Sequence, residues 1–146
     1  MPSPISITHT ATVGAPIDKV FALITNPTRM PDWLPGCRAV TPKETPLRKG
    51  DLVHIAIGDA PYRIEIEIID LNPPFTFGWV ELRRRSGSKT FFKLQPAMAG
   101  ATEVTIRYIS NASTIRAWIN GQWYRRRDAR RTFDGTINNL RKLLQR

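Results

Sequence analysis

A chain of 146 residues with 41% hydrophobic content has enough apolar mass for one core and too little length for two ordinary ones, so a single domain over residues 1–146 is expected. Its longest apolar runs are only a few residues, and Met1-Pro2-Ser3-Pro4 shows neither a basic leader nor an apolar stretch, which argues against a transmembrane segment and for a cytoplasmic location. Lys plus Arg number 22 against 12 Asp plus Glu, a net charge of +10 whose field gathers anions.

That charge is concentrated late in the chain, where Arg116 to Arg146 holds nine basic residues against Asp128 and Asp134. The lone cysteine, Cys37, cannot close an intramolecular disulfide, and with His9 and His54 it makes no recognisable metal spacing. No metal and no cofactor are therefore expected.

The segment Ile5 to Val13 alternates, placing Ile5, Ile7, His9, Ala11 and Val13 on one face of a strand. A histidine on that face is satisfied by one local partner and reads as a packed residue before a ligand or base. Gly14-Ala15-Pro16 then leads into a helix to about Thr25, with Pro16 suited to the first turn and Asp18 to the positive end of the dipole. Asn26-Pro27 ends it. A second short helix or turn carries Met30, Trp33 and Leu34 to Pro35-Gly36.

From Arg38 the pattern becomes that of strands: Arg38 to Thr41, Leu52 to Ile57, Tyr62 to Leu71, Phe75 to Leu82, Thr90 to Leu94 and Thr102 to Ile109. Short links favour antiparallel neighbours, because a parallel crossover needs a dozen or more residues. Ile64, Ile66 and Ile68 alternate with Arg63, Glu65 and Glu67, so one face of the sheet is covered and the other wet. The last stretch, about Thr114 to Leu144, advances by threes and fours through Trp118, Gln122, Arg126, Ala129, Phe133, Ile137 and Leu140. Gly121 and Gly135 would weaken a helix there, so a kink or a start near Trp123 is an open alternative.

Strand, two helices, six strands and a long helix is the order of the START-like superfamily, often labelled SRPBCC, which includes polyketide cyclase/dehydrase and lipid-transport proteins. More specific are Val13-Gly14-Ala15-Pro16 with Val20-Phe21, then Asn26-Pro27, Met30-Pro31, Trp33 and Pro35-Gly36, which resemble that superfamily's opening segment. Asp70-Leu71-Asn72-Pro73-Pro74 before the strand bearing Trp79, and Gly100 to Thr105 before the final helix, also match, so the resemblance spans nearly the whole chain. It implies an α+β helix-grip fold, about seven curved antiparallel strands around a long carboxy-terminal helix, with an internal pocket for an apolar ligand such as a lipid, polyketide or other ring compound. A cyclase or dehydratase is one elaboration of such a pocket. No universal catalytic motif comes with the resemblance, so no catalytic residue is assigned.

Within that implied pocket, Trp79, Glu81, Tyr108, Trp118, Gln122 and Arg126 are the candidate ligand-binding residues. Arg126 and Gln122 interrupt the apolar stripe of the last helix; the guanidinium there reaches solvent along its stem, meets a carboxylate, or awaits a ligand oxygen. Trp79 and Trp118 are cavity walls or core filling, whereas Trp123 falls off the stripe. Glu81 shares a strand face with Phe77 and Trp79, as a paired carboxylate or as a desolvated one able to act as a base. The basic runs Arg83, Arg84, Arg85 and Arg125, Arg127, Arg130, Arg131 are solvated faces, or else contacts to RNA, a ribosome or an acidic membrane surface.

Overall fold

The alternating residues Ile5–Val13 form an edge strand, β1, of nine residues. The computed structural model describes residues 5–41, 46–57, 62–82, 88–110 and 115–145, with the side chains of residues 57, 62 and 115–128 outside that description. After β1 come α1 (Ile17–Ile24), a 3-10 turn (Pro27–Arg29) and α2 (Met30–Trp33). Then follow β2 (Cys37–Thr41), β3 (Leu52–Ile57), β4 (Tyr62–Asn72), β5 (Thr76–Glu81), β6 (Lys89–Pro96), β7 (Thr102–Ser110) and α3 (Ile115–Leu144).

The seven strands make one sheet in the order β1-β7-β6-β5-β4-β3-β2, antiparallel throughout. Six of them form a meander, and β1 closes the far side by pairing Ile7 with Tyr108 and Val13 with Thr102. The helix-grip architecture is α+β, as the resemblance implies. Its boundaries differ from the sequence expectation mainly at β6, and by one residue at either end of β5. β6 runs from Lys89 to Pro96 because β7 supplies a ladder partner along that entire length.

Two features bend the sheet. β4 shifts register between Ile68 and Asp70, and the extra residue increases local twist. Opposite Asp70 stands Gly78, and Thr76 Oγ1 donates to Asp70 Oδ1 at 2.8 Å beside it. The concave side thus collects Val53, Ile55, Ile66, Ile68, Phe77, Trp79, Phe92, Leu94, Val104 and Ile106, all buried.

α3 presents Phe133, Ile137 and Leu140 to this surface, all three buried, as the stripe predicts. It is continuous across Gly135, where the alternative was a kink. A methyl at Gly135 would come within 3.0 Å of Pro35 Cγ, so the glycine admits the α2–β2 connection against the helix. The helix is tied at its end by polar bonds: Asn139 Nδ2 donates to the Trp33 carbonyl at 3.1 Å, and Arg141 donates twice to the Thr12 carbonyl. Gln145 Oε1 accepts from the Gly14 amide at 2.7 Å.

Candidate ligand-binding cavity

The site follows from strand register. On the concave face Ile66 stands opposite Glu81, the Glu81 amide bonds the Ser88 carbonyl, and the β6–β7 register sets Ser88 opposite Ser110, itself opposite Ile5. One two-residue step inward lies a second row, Trp79, Thr90, Tyr108 and Ile7. A third row, Phe77, Phe92, Ile106 and His9, is apolar except at its edge.

All the named residues of the first two rows, with Phe92, Ile55 and Ile64, line a cavity of about 810 Å³. Leu34 and Pro35 close it from the α2–β2 connection, and Ala129, Thr132 and Thr136 face it from α3. A cavity of this size suits a small-molecule ligand. Trp79 stands against Phe77 and Phe92 with ring centroids 5.5 and 5.7 Å apart, a rigid aromatic wall.

Burial governs the electrostatics. Desolvation raises the Glu81 carboxyl above the ordinary carboxylate range and pushes the Tyr108 phenol well above its usual value. Glu81 is also engaged by other groups of the protein. Ser110 Oγ is buried in the wall with no hydrogen-bond partner among the described residues. Cys37 is buried, and desolvation lifts its thiol to about 11, which makes it a packing residue rather than a nucleophile.

Of the sequence candidates, Trp79, Glu81 and Tyr108 meet at this cavity. Trp118, Gln122 and Arg126 lie outside the described side chains, as do Trp123, Arg125 and Arg127, and Arg83, Arg84 and Arg85 lie outside the described residues. Arg130 and Arg131 are exposed; Arg130 bonds Asp134 at 3.3 Å, and Arg131 stands at the cavity rim. His9 stacks on Phe133 at 5.1 Å, a packed residue on the β1–α3 seam. Sequence reasoning passed over Ser88, Thr90, Ser110, Thr132 and Thr136. Ser110 continues the alternation Val104, Ile106, Tyr108 by one step, so extending that strand would have found it. Among the described residues no group of three His, Cys, Asp or Glu is placed to hold a metal ion, and no helix is long and apolar enough to cross a membrane.

The sheet, its gripped helix and the cavity between them define a START-like helix-grip protein. Residues 4–145 match the family described as polyketide cyclase / dehydrase and lipid transport, and the chain belongs to that family. No curated protein matches it. Among solved structures it is similar to protein CV1439 from Chromobacterium violaceum, at 15% identity and a TM-score of 0.72, with 97% of this chain and 98% of that one covered. A START superfamily protein from Mycobacterium smegmatis matches at 9% identity and a TM-score of 0.71, covering 96% and 97%. The di-domain ARO/CYC StfQ from the steffimycin biosynthetic pathway matches at 10% identity and a TM-score of 0.79, covering 97% of this chain and 51% of that one. At such identities the likeness is one of fold.

Proposed function

We propose that the protein binds a small, largely apolar ring compound in the cavity between the sheet and α3. The observation that carries this reading is the wall itself: Trp79 and Phe92 with Ile7, Ile55, Ile64 and Ile66 around about 810 Å³, bordered by a few oxygen-bearing side chains. Flat apolar surface supplies affinity and the sparse polar groups supply orientation. The family's description, which joins cyclase/dehydrase and lipid transport, supports a hydrophobic small molecule as the partner. If the bound compound is transformed as well as held, Glu81 is the group this reading assigns to proton transfer, because burial keeps its proton nearer neutrality.

A neutral fluorescent probe, N-phenyl-1-naphthylamine, tests the reading. Saturable enhancement is expected, unchanged between low and high salt, and weakened when Trp79 is replaced by alanine. No saturable uptake would reject the cavity as a binding site. Uptake lost at high salt would instead favour the basic runs as the site of contact, because only charge-driven binding is screened away.

A further inference from the structure

We infer that the open edge of β1 is a docking strand for an extended acidic peptide segment of another protein, which would join the seven-stranded sheet at that edge. The inference stands apart from the cavity and starts from ladder parity. In an antiparallel pair, residues alternate between those that bond the neighbour and those whose amide and carbonyl point away from it. Arg141 donates twice to the Thr12 carbonyl from α3, so Thr12 turns its backbone away from β7. Pro96 agrees. It has no N–H and faces Thr102 across the β6–β7 pair, which leaves Thr102 to bond Val13 of β1 and the preceding residue, Thr12, to face outward. By the same alternation Ser6, Thr8 and Thr10 also direct their amides and carbonyls to the open edge, where they meet no partner among the described residues.

Proteins guard such edges with charge, proline, bulges or short length. β2, at the other edge, follows that practice: it has five residues, carries Arg38 and shifts register between Cys37 and Ala39. β1 does not. Its nine residues include no Lys, Arg, Asp, Glu or Pro, its register with β7 is unbroken, and Ser6, Thr8, Thr10 and Thr12 are all exposed. An edge left open over this length is a template for strand addition, in which backbone bonds supply affinity and alternate side chains supply selection. The selection here is for negative charge. Arg107 Nε reaches Ser6 Oγ at 3.1 Å, Arg130 Nη1 stands 3.5 Å from His9 Nδ1, and Arg141 holds the Thr12 carbonyl, so three exposed guanidinium groups are spaced along the strand. Glu103 opposite Thr12 and Asp134 against Arg130 offset them only in part, on a chain of net charge +10. A second copy would bring the same arginines and meet repulsion, whereas acidic side chains gain from each.

The probe is a fluorescein-labelled peptide as long as β1 that alternates glutamate with valine, and its counterpart alternates lysine with valine. Fluorescence anisotropy is to be read on wild type, Thr8→Pro and Thr8→Glu, each checked for an unchanged thermal melt. Proline removes an outward amide and is tolerated there because that amide makes no ladder bond. Glutamate keeps the backbone and sets a like charge against the peptide, so the test stands even where the proline variant fails to fold. Wild type is expected to bind the glutamate peptide saturably and the lysine peptide roughly tenfold more weakly, with each Thr8 variant losing roughly tenfold, on the order of one hydrogen bond. Uptake of N-phenyl-1-naphthylamine should be the same in all three proteins. No saturable binding of the glutamate peptide, equal binding of the two peptides, or binding unchanged in the variants that fold would overturn the inference. So would sedimentation of wild type as a dimer that Thr8→Pro converts to monomer, because the edge would then belong to a second copy.

Discussion

Phe91 lies across Gly78 on the convex side of the β5–β6 pair, so close that a methyl group on Gly78 would stand 2.5 Å from Phe91 Cδ1. The ring covers the β5 backbone opposite the β4 bulge at Asp70. Gly78→Ala is expected to cost about 1–3 kcal/mol, the usual penalty of overpacking. Adding Phe91→Ala should recover part of that loss, so urea melts of the two single variants and the double variant will show strong non-additivity. Additive losses would mean that the two residues do not depend on each other.

Phe133 anchors α3 to the concave face, 4% exposed and stacked on His9. Truncation to alanine is expected to destabilise the protein by about 3–5 kcal/mol, since a large buried side chain leaves a cavity the surroundings only partly fill. Equilibrium denaturation gives the number directly. A loss below about 1 kcal/mol would place the ring at the surface and detach the helix from the sheet.

The β1–α3 seam carries a pH dependence through His9. Burial first, and then the Arg130 guanidinium 3.5 Å from its Nδ1, lower the ring's pKa, with Asp134 opposing them. The unfolded chain takes up this proton near pH 6.5, and the folded protein only at lower pH. The unfolded state therefore holds more protons in that window. Stability from the neutral ring is complete above about pH 6.5 and falls as pH drops below it. The melting temperature of His9→Gln should decline less than that of wild type between about pH 7.5 and pH 5, across the ordinary histidine range. Parallel profiles would show that His9 titrates alike in the folded and unfolded states.

Glu81 carries a dependence of the opposite sign. Its carboxyl is raised by desolvation, so the folded state binds its proton more readily than the unfolded chain does, and that preference is lost as pH rises through the folded value. Glu81→Gln should therefore be more favourable to stability, relative to wild type, at neutral pH than at about pH 4, near the ordinary glutamate value. Thermal melts at the two values check it. An equal effect at both would place the carboxyl in water-like surroundings.

Much of this fold is legible in the chain because its signals are local. The alternations Ile5 to Val13 and Ile64 to Ile68 assign residues to faces without knowledge of their partners, and the spacing Phe133, Ile137, Leu140 identifies the gripped side of α3. The site is less legible because it depends on register. Glu81 and Ser110 end β5 and β7, Ser88 precedes β6, and the three align only through ladder bonds that no local pattern encodes. Thr132 and Thr136 stand beside the apolar stripe of α3 and line the cavity, a role that helical spacing alone does not mark. Gly135 suggests a break when only its helix propensity is weighed, whereas its cause is Pro35, about 100 positions away in sequence.

The central claim is that the cavity holds a small molecule, and native mass spectrometry of protein purified from its own host tests it most directly. The account predicts a second species heavier by one small organic compound, present in wild type and depleted when a large side chain fills the cavity, as in Ala129→Trp. Ala129 lines the cavity and is buried, so the bulk would project into the space a ligand needs. A wild-type spectrum with the apo mass alone, together with no uptake of N-phenyl-1-naphthylamine, would contradict it.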